Sequence, residues 1–241
     1  VGRLKMRYMG SKLRLAKELL PIILKDRQPD QYYVEPFVGA GNMIQFVDGK
    51  RIGSDSQKYI IALLAAVRDG WTPPDFVSKE MYYAVKANPD SYDNCLVGFV
   101  GFGCSFGGKW FGGYANRKPN EKGFCRIYSA ESNRNLLKTA PLLKGCKFYH
   151  CSYQDLEIPD NSIIYCDPPY QGTTSYKQKF DHDAFWDWCR AKEKEGHRVF
   201  ISEYDAPPDF ACIWEKKIHV NVGLINRPAD HSEKLFTQTQ G

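Results

Sequence analysis

Apolar positions along the first third of the chain alternate between helical spacing and short strand-like runs. Leu13, Ala16, Leu19, Leu20 and Ile23 share one face of a helix that Ser11 can cap and that runs to about Ile23. Gln31 to Glu35 reads as a short strand, and Arg51 to Asp55 as a second. Between them, Pro36-Phe37-Val38-Gly39-Ala40-Gly41-Asn42 reads as a tight glycine turn that opens a helix. Ser56 then caps a helix carrying Ile60, Ile61, Leu63, Leu64 and Val67, closed by Gly70. A strand–loop–helix–strand–helix series predicts a parallel sheet.

The texture changes from Trp71 to about Thr139, where turn chemistry and aromatics replace long periodic segments. Between Gly98 and Gly123, 8 of 26 residues are glycine, interleaved with Phe99, Phe102, Phe106, Trp110, Phe111 and Tyr114. Two readings fit: an inserted segment of loops with a hairpin, or a buried glycine–aromatic turn region of the same domain. The α/β pattern then resumes. A helix is predicted near 131–143 and strands at 147–150 and 162–167. Asp181 caps a helix over 182–195 with Phe185, Trp188 and Cys189 inward, and Gly196 ends it. A strand at 198–203 follows, then a final antiparallel pair at 214–222 and 234–237.

A length of 241 residues suits one α/β domain or a domain carrying an insertion, and 43% hydrophobic content supports a full core. No apolar run reaches the roughly 18 residues of a membrane span, and the basic N-terminus leads into no secretory h-region. None of the eight cysteines forms Cys-x-x-Cys, so free buried thiols in a reducing cytoplasm are expected, and no metal. The net charge of +5 is unevenly spread. Residues 101–150 hold nine basic against two acidic residues, and residues 1–30 hold eight against three. The remainder is therefore acidic, and two basic segments suggest a face for a polyanion.

Asp167-Pro168-Pro169-Tyr170 ends the apolar run Ser162-Ile163-Ile164-Tyr165-Cys166. Two prolines hold an extended path and donate no N–H, so their carbonyls are free to accept. Asp167 adds a carboxylate acceptor and Tyr170 a flat face. Two acceptors beside a stacking platform suit a planar exocyclic amino group such as that of adenine. The bland alternative is a strand end closed by a Pro-Pro turn. In the glycine turn, Gly39 and Gly41 let a ligand approach the backbone, and Asp55 at the next strand end is placed for ribose hydroxyls. The third glycine of a dinucleotide fingerprint is missing, since Ile44 stands there.

Glu35-Pro36-Phe37-Val38-Gly39-Ala40-Gly41, Asp55 and Asp167-Pro168-Pro169-Tyr170 together resemble the Dam-type (D12 class, α-group) S-adenosylmethionine-dependent DNA adenine-N6 methyltransferases. Tyr8-Met9-Gly10-Ser11-Lys12 is similar to that family's first motif, and the order of motifs matches as well. The resemblance implies a Rossmann-like class I methyltransferase sheet, mostly parallel with an antiparallel C-terminal strand. It implies a catalytic domain from 1–71 and 139–241, with a target-recognition insertion at 72–138. It implies S-adenosylmethionine as cofactor and double-stranded DNA as partner, in a bacterial or phage-encoded cytoplasmic enzyme. By position, Tyr8, Lys12, Glu35, Pro36, Phe37, Gly39, Gly41, Asp55, Tyr153 and Asp167 would surround the cofactor. Asp167, Pro168, Pro169 and Tyr170 would carry catalysis on a flipped base. Arg7, Arg117, Lys118 and Arg126 are the candidate DNA contacts. The rivals are an N4-cytosine DNA methyltransferase, an RNA or protein-glutamine methyltransferase, and a non-catalytic nucleic-acid-binding protein on the same fold. An NAD-dependent oxidoreductase leaves the Pro-Pro unexplained.

Overall fold

The computed structural model describes residues 8, 10–115, 127–170, 180–219 and 230–239. Seven strands form one sheet: β1 (Tyr33–Glu35), β2 (Arg51–Asp55), β3 (Cys146–His150), β4 (Ile163–Cys166), β5 (Arg198–Glu203), β6 (Phe210–His219) and β7 (Asp230–Gln238). Their order across the sheet is β3-β2-β1-β4-β5-β7-β6. The first five pair in parallel, while β7 runs antiparallel to both β5 and β6. This is the mostly parallel α/β sheet that the hydrophobic pattern predicts.

The central strands read as unbroken apolar runs because both faces are covered. Tyr33, Ile163, Tyr165, Phe200 and Leu235 lie in one cluster, and their chain neighbours Val34, Ile164, Cys166, Val199, Ile201 and Phe236 lie in the other. The period of two along each strand separates the two sets. Helices α1 (Ala16–Ile23) and α2 (Lys58–Arg68) cover the first face, and α6 (His182–Lys194) covers the second with Phe185, Trp186 and Cys189. Leu63 and Leu64 of α2 are fully buried, each contributing about 1.5–3 kcal/mol by burial.

Three local expectations are corrected. No α-helix follows the glycine turn; residues 44–46 make a single 3-10 turn instead. Only nine residues separate Gly41 from the start of β2 at Arg51, which leaves room for one turn. The Arg51 guanidinium pins that turn by donating to the Ile44 carbonyl at 3.1 Å. Ser56 is not the cap of α2: the Gln57 side chain accepts from the Tyr59 amide, and Asp55 accepts from the Gln57 amide at 2.9 Å. Along the described part of 71–139 the chain is largely helical. It contains α3 (Lys79–Ala87), capped by Ser78, α4 (Asn94–Gly98) continued by a π-helical turn at Phe99–Gly103, and α5 (Tyr128–Thr139). Val77, Tyr82, Val85, Val97, Phe99, Phe102 and Phe111 join the same core cluster as α1 and α2. Gly98 allows that contact, since a Cβ there would stand 2.2 Å from the Tyr59 carbonyl oxygen of α2.

Candidate active-site cleft

Strand order reverses between β1 and β4, and a cleft of about 870 Å³ opens at the carboxyl ends of these strands. Such a switch point is the usual ligand crevice of an open parallel sheet. Its walls include Tyr8, Lys12, Glu35 through Ala40, Asp55, Tyr153 and Asp167 through Tyr170. Thus every sequence-selected cofactor and catalytic position except Gly41 lines one cavity, although these residues span 163 positions of chain. Gly41 (φ +68°) lies behind the wall, packed toward Ile44 and Leu64.

The glycine turn is held from two sides. Its Val38 amide donates to the Ser54 carbonyl at 2.8 Å, and its Gly39 amide donates to Asp55 Oδ2 at 3.0 Å. Asp55 Oδ1 meanwhile accepts from Gln57, so one carboxylate ties the turn to the start of α2. A carboxylate has about four acceptor positions, so two amides leave capacity facing the cleft. Burial raises the Asp55 pKa, while the two amide donors and His150 oppose the rise. Gly39 sits at φ +49°, and a Cβ there would meet the Tyr8 ring at 2.9 Å. That ring also packs on Phe102, 5.2 Å between centroids, so Tyr8 links the turn to the 71–139 segment.

Glu35 is 2% exposed at the end of β1. The Tyr33 hydroxyl donates to it at 2.8 Å. Burial pushes its pKa up to about 8, with Asp167 adding to the rise and the Tyr33 and Ile44 donors opposing it. Phe37, Tyr153 and Phe180 form an aromatic wall with centroid separations of 5.2–5.9 Å.

Asp167 and Tyr170 face a cation. The Lys12 ammonium lies 3.0 Å from Asp167 Oδ1, 3.3 Å from Glu233 Oε2 and 4.4 Å from the Tyr170 ring centroid. The Tyr170 hydroxyl donates to the same Glu233 oxygen at 2.9 Å, and its ring meets Tyr204 edge-on at 4.5 Å. Burial works against the Lys12 charge, but Asp167 and Glu233 outweigh it and hold the lysine pKa above its ordinary value. For Asp167, burial raises the pKa, Lys12 lowers it, and Glu233 raises it further.

Glu233, Tyr204 and Phe180 are among the cleft residues that sequence reasoning misses. One signal was present for Glu233. It lies two positions before the fully buried Leu235, so strand alternation aims it at the same face. An acid on an inward face of a strand calls for a partner. The candidate DNA contacts Arg7, Arg117, Lys118 and Arg126 lie outside the described residues.

Residues 8–96 match the family model described as D12 class N6 adenine-specific DNA methyltransferase, fewer than half of the positions in the chain. The family found by that model is the one that the motifs resemble. No curated protein matches. Thirty-one chains of solved structures do. One of them is the crystal structure of SMU.472, named a candidate methyltransferase and complexed with SAH. Identity to it is 15% and the TM-score is 0.38; the match covers 99% of this chain and 56% of that one.

Proposed function

We propose that this chain, D12-class in sequence over residues 8–96, transfers a methyl group from S-adenosylmethionine to N6 of an adenine flipped out of duplex DNA. The observation that carries this reading is the seat of the Lys12 ammonium. A nitrogen donor is held against Asp167 at 3.0 Å and over the face of Tyr170. A base amino group needs the same two contacts, an acceptor for its N–H and a flat surface for its ring.

The residues support each part of the chemistry. Asp167 and the carbonyl of Pro168 are the acceptors for two N6–H bonds, and Tyr170 is the stacking face. Acceptors placed this way favour a nitrogen rehybridised toward sp3, with its lone pair turned to the methyl donor. Bound S-adenosylmethionine supplies the methyl on an electrophilic sulfonium. Asp55 has acceptor capacity for ribose hydroxyls, the Gly39 turn admits a close backbone approach, and Phe37 and Tyr153 offer flat faces. Glu35 is placed to meet a cationic group. An ionised Asp167 beside the accepted nitrogen also favours the positive charge that forms on the alkylated amine. The proton can depart after transfer, so no strong base is required.

DNA affinity is assigned to the basic segments, with Arg7, Arg117, Lys118 and Arg126 as phosphate or guanine contacts and 72–138 as the target-recognition segment. A cytoplasmic, bacterial or phage-encoded enzyme fits this activity. The second reading, N4-cytosine methylation, shares the acceptor-and-stack chemistry.

The test is a variant series assayed for methyl transfer to DNA. Asp167→Ala should abolish transfer while folding and binding DNA, and Tyr170→Ala should lose more activity than Tyr170→Phe or Tyr170→Trp. A folded Asp167→Ala protein that methylates at near wild-type rate defeats the assignment.

A further inference from the structure

The Lys12 ammonium holds one oxygen of Asp167 and lies over the Tyr170 ring on which the base would stack, so it has to give way when the base enters. It contacts two carboxylates, and only one of them belongs to the tetrapeptide. The other, Glu233, comes from β7, the antiparallel strand that enters the sheet beside β5. Its side chain is 12% exposed and that of Lys12 is 7% exposed. Glu233 Oε2 is 3.3 Å from the ammonium, almost as close as Asp167. The same oxygen accepts the Tyr170 hydroxyl at 2.9 Å, so the second carboxylate also fixes the edge of the stacking ring.

We infer that Glu233 is a positioning residue: it is the seat to which the Lys12 ammonium withdraws when the substrate amino group takes Asp167, and it anchors the Tyr170 ring through its hydroxyl. The inference rests on the proposed methyl transfer. A buried ammonium leaving Asp167 with no second carboxylate would lose its counter-ion in a low-dielectric site. With Glu233 in place, Lys12 keeps an ion pair throughout, and the exchange needs a small swing of one flexible side chain. Burial raises the Tyr170 pKa well above its ordinary value, and both Asp167 and Glu233 push it further, so the hydroxyl keeps its proton and remains a donor.

The charge has a second consequence. Burial is the main cause of the raised Asp167 pKa, and Glu233 adds to it. Asp167 accepts best when ionised. Removing the Glu233 charge should therefore ease its ionisation and move the acid limb of the rate profile to lower pH. General damage to the fold would not produce that displacement.

The experiment measures kcat, KM for duplex DNA and the pH profile of kcat/KM in wild-type, Glu233→Gln, Lys12→Met and the double variant. Glutamine keeps an oxygen for the Tyr170 hydroxyl and drops the charge. Expected for Glu233→Gln are a KM for DNA raised about ten-fold, kcat within about three-fold of wild type, and the acid limb displaced downward. In the Lys12→Met background the substitution should add little to KM, because no ammonium is left to compete. An unchanged KM and acid limb, or an equal rise with and without Lys12, overturns the inference. Glu233→Asp keeps the charge with a shorter reach; it should raise KM less than Gln and leave the acid limb in place. It carries the test if the Gln variant does not fold, and an unchanged KM there overturns the inference. A wild-type chain that transfers no methyl to DNA removes the functional reading and this inference together. An active wild type with an indifferent Glu233 removes the inference alone.

Discussion

Glu35→Gln should stabilise the protein at alkaline pH, although it alters a residue inside the cleft. Glu35 is almost wholly buried, and burial lifts its pKa from 4.5 to about 8. A folded-state pKa above the unfolded one gives stability that is complete below about pH 4.5 and lost as pH rises through about 8. At about 1.36 kcal/mol per pH unit, the interval bounds the loss at about 5 kcal/mol, and relaxation of the site brings it to roughly 2–5 kcal/mol. Glutamine is isosteric and carries no charge, and its carbonyl can still accept from the Tyr33 hydroxyl, 2.8 Å away in the native pair. Burial raises Asp55, Asp167 and Glu193 as well, so wild-type stability alone would not isolate Glu35. The assay is therefore urea unfolding of wild type and variant side by side at pH 6 and pH 9. The variant should lose less stability between the two values and be the more stable protein at pH 9. Parallel pH dependences in the two proteins would show that Glu35 does not carry the alkaline loss. A cationic ligand seated beside Glu35 should pull its pKa down, so binding near pH 7 should release a proton, detectable as a buffer-dependent heat in calorimetry.

Other outcomes follow from single contacts. Gly98→Ala places a methyl 2.2 Å from the Tyr59 carbonyl oxygen and should destabilise the chain by about 3 kcal/mol or more in urea unfolding, since α4 and α2 share one core. Gly39→Ala combines positive φ with a clash on the Tyr8 ring. It should cost about 1–2 kcal/mol of backbone strain and weaken cofactor binding, and Tyr8→Ala should recover part of the binding loss. His197 accepts the Ser162 amide through Nδ1 at 3.1 Å, and burial lowers its pKa. Because the folded value is depressed, stability is full above about pH 6.5 and is lost as pH falls through the folded pKa. His197→Asn should flatten that acid-side loss in thermal melts between pH 7 and pH 5.

The sheet was legible because its signals are local. Ile163, Ile164 and Tyr165, or Val199, Phe200 and Ile201, are apolar on both faces, as a strand covered by helices on both sides requires. The 71–139 segment misled because its glycines serve packing as well as turns. Gly98 and Gly101 stand where a Cβ would strike Tyr59 or Trp110, so they allow close approach inside helical backbone. Sequence alone cannot distinguish that use from a loop. Ser78 with Tyr82 and Val85 was a readable helix start that the aromatic texture obscured. In the cleft, Asp55, Asp167 and Tyr170 could be singled out because each ends or follows a recognisable strand. For Glu233 strand alternation with Leu235 was a signal of burial, but its partners Lys12 and Tyr170 lie 221 and 63 positions away in the chain, so its role was not legible.

The chemistry turns on one nitrogen. Incubating the protein with S-adenosylmethionine and unmethylated genomic DNA, followed by single-molecule sequencing for modified bases, reads that nitrogen directly. N6-methyladenine is expected at a defined sequence, and none when Asp167→Ala replaces the wild type. N4-methylcytosine would contradict the assigned base, and DNA carrying no new methyl group would contradict the chemistry.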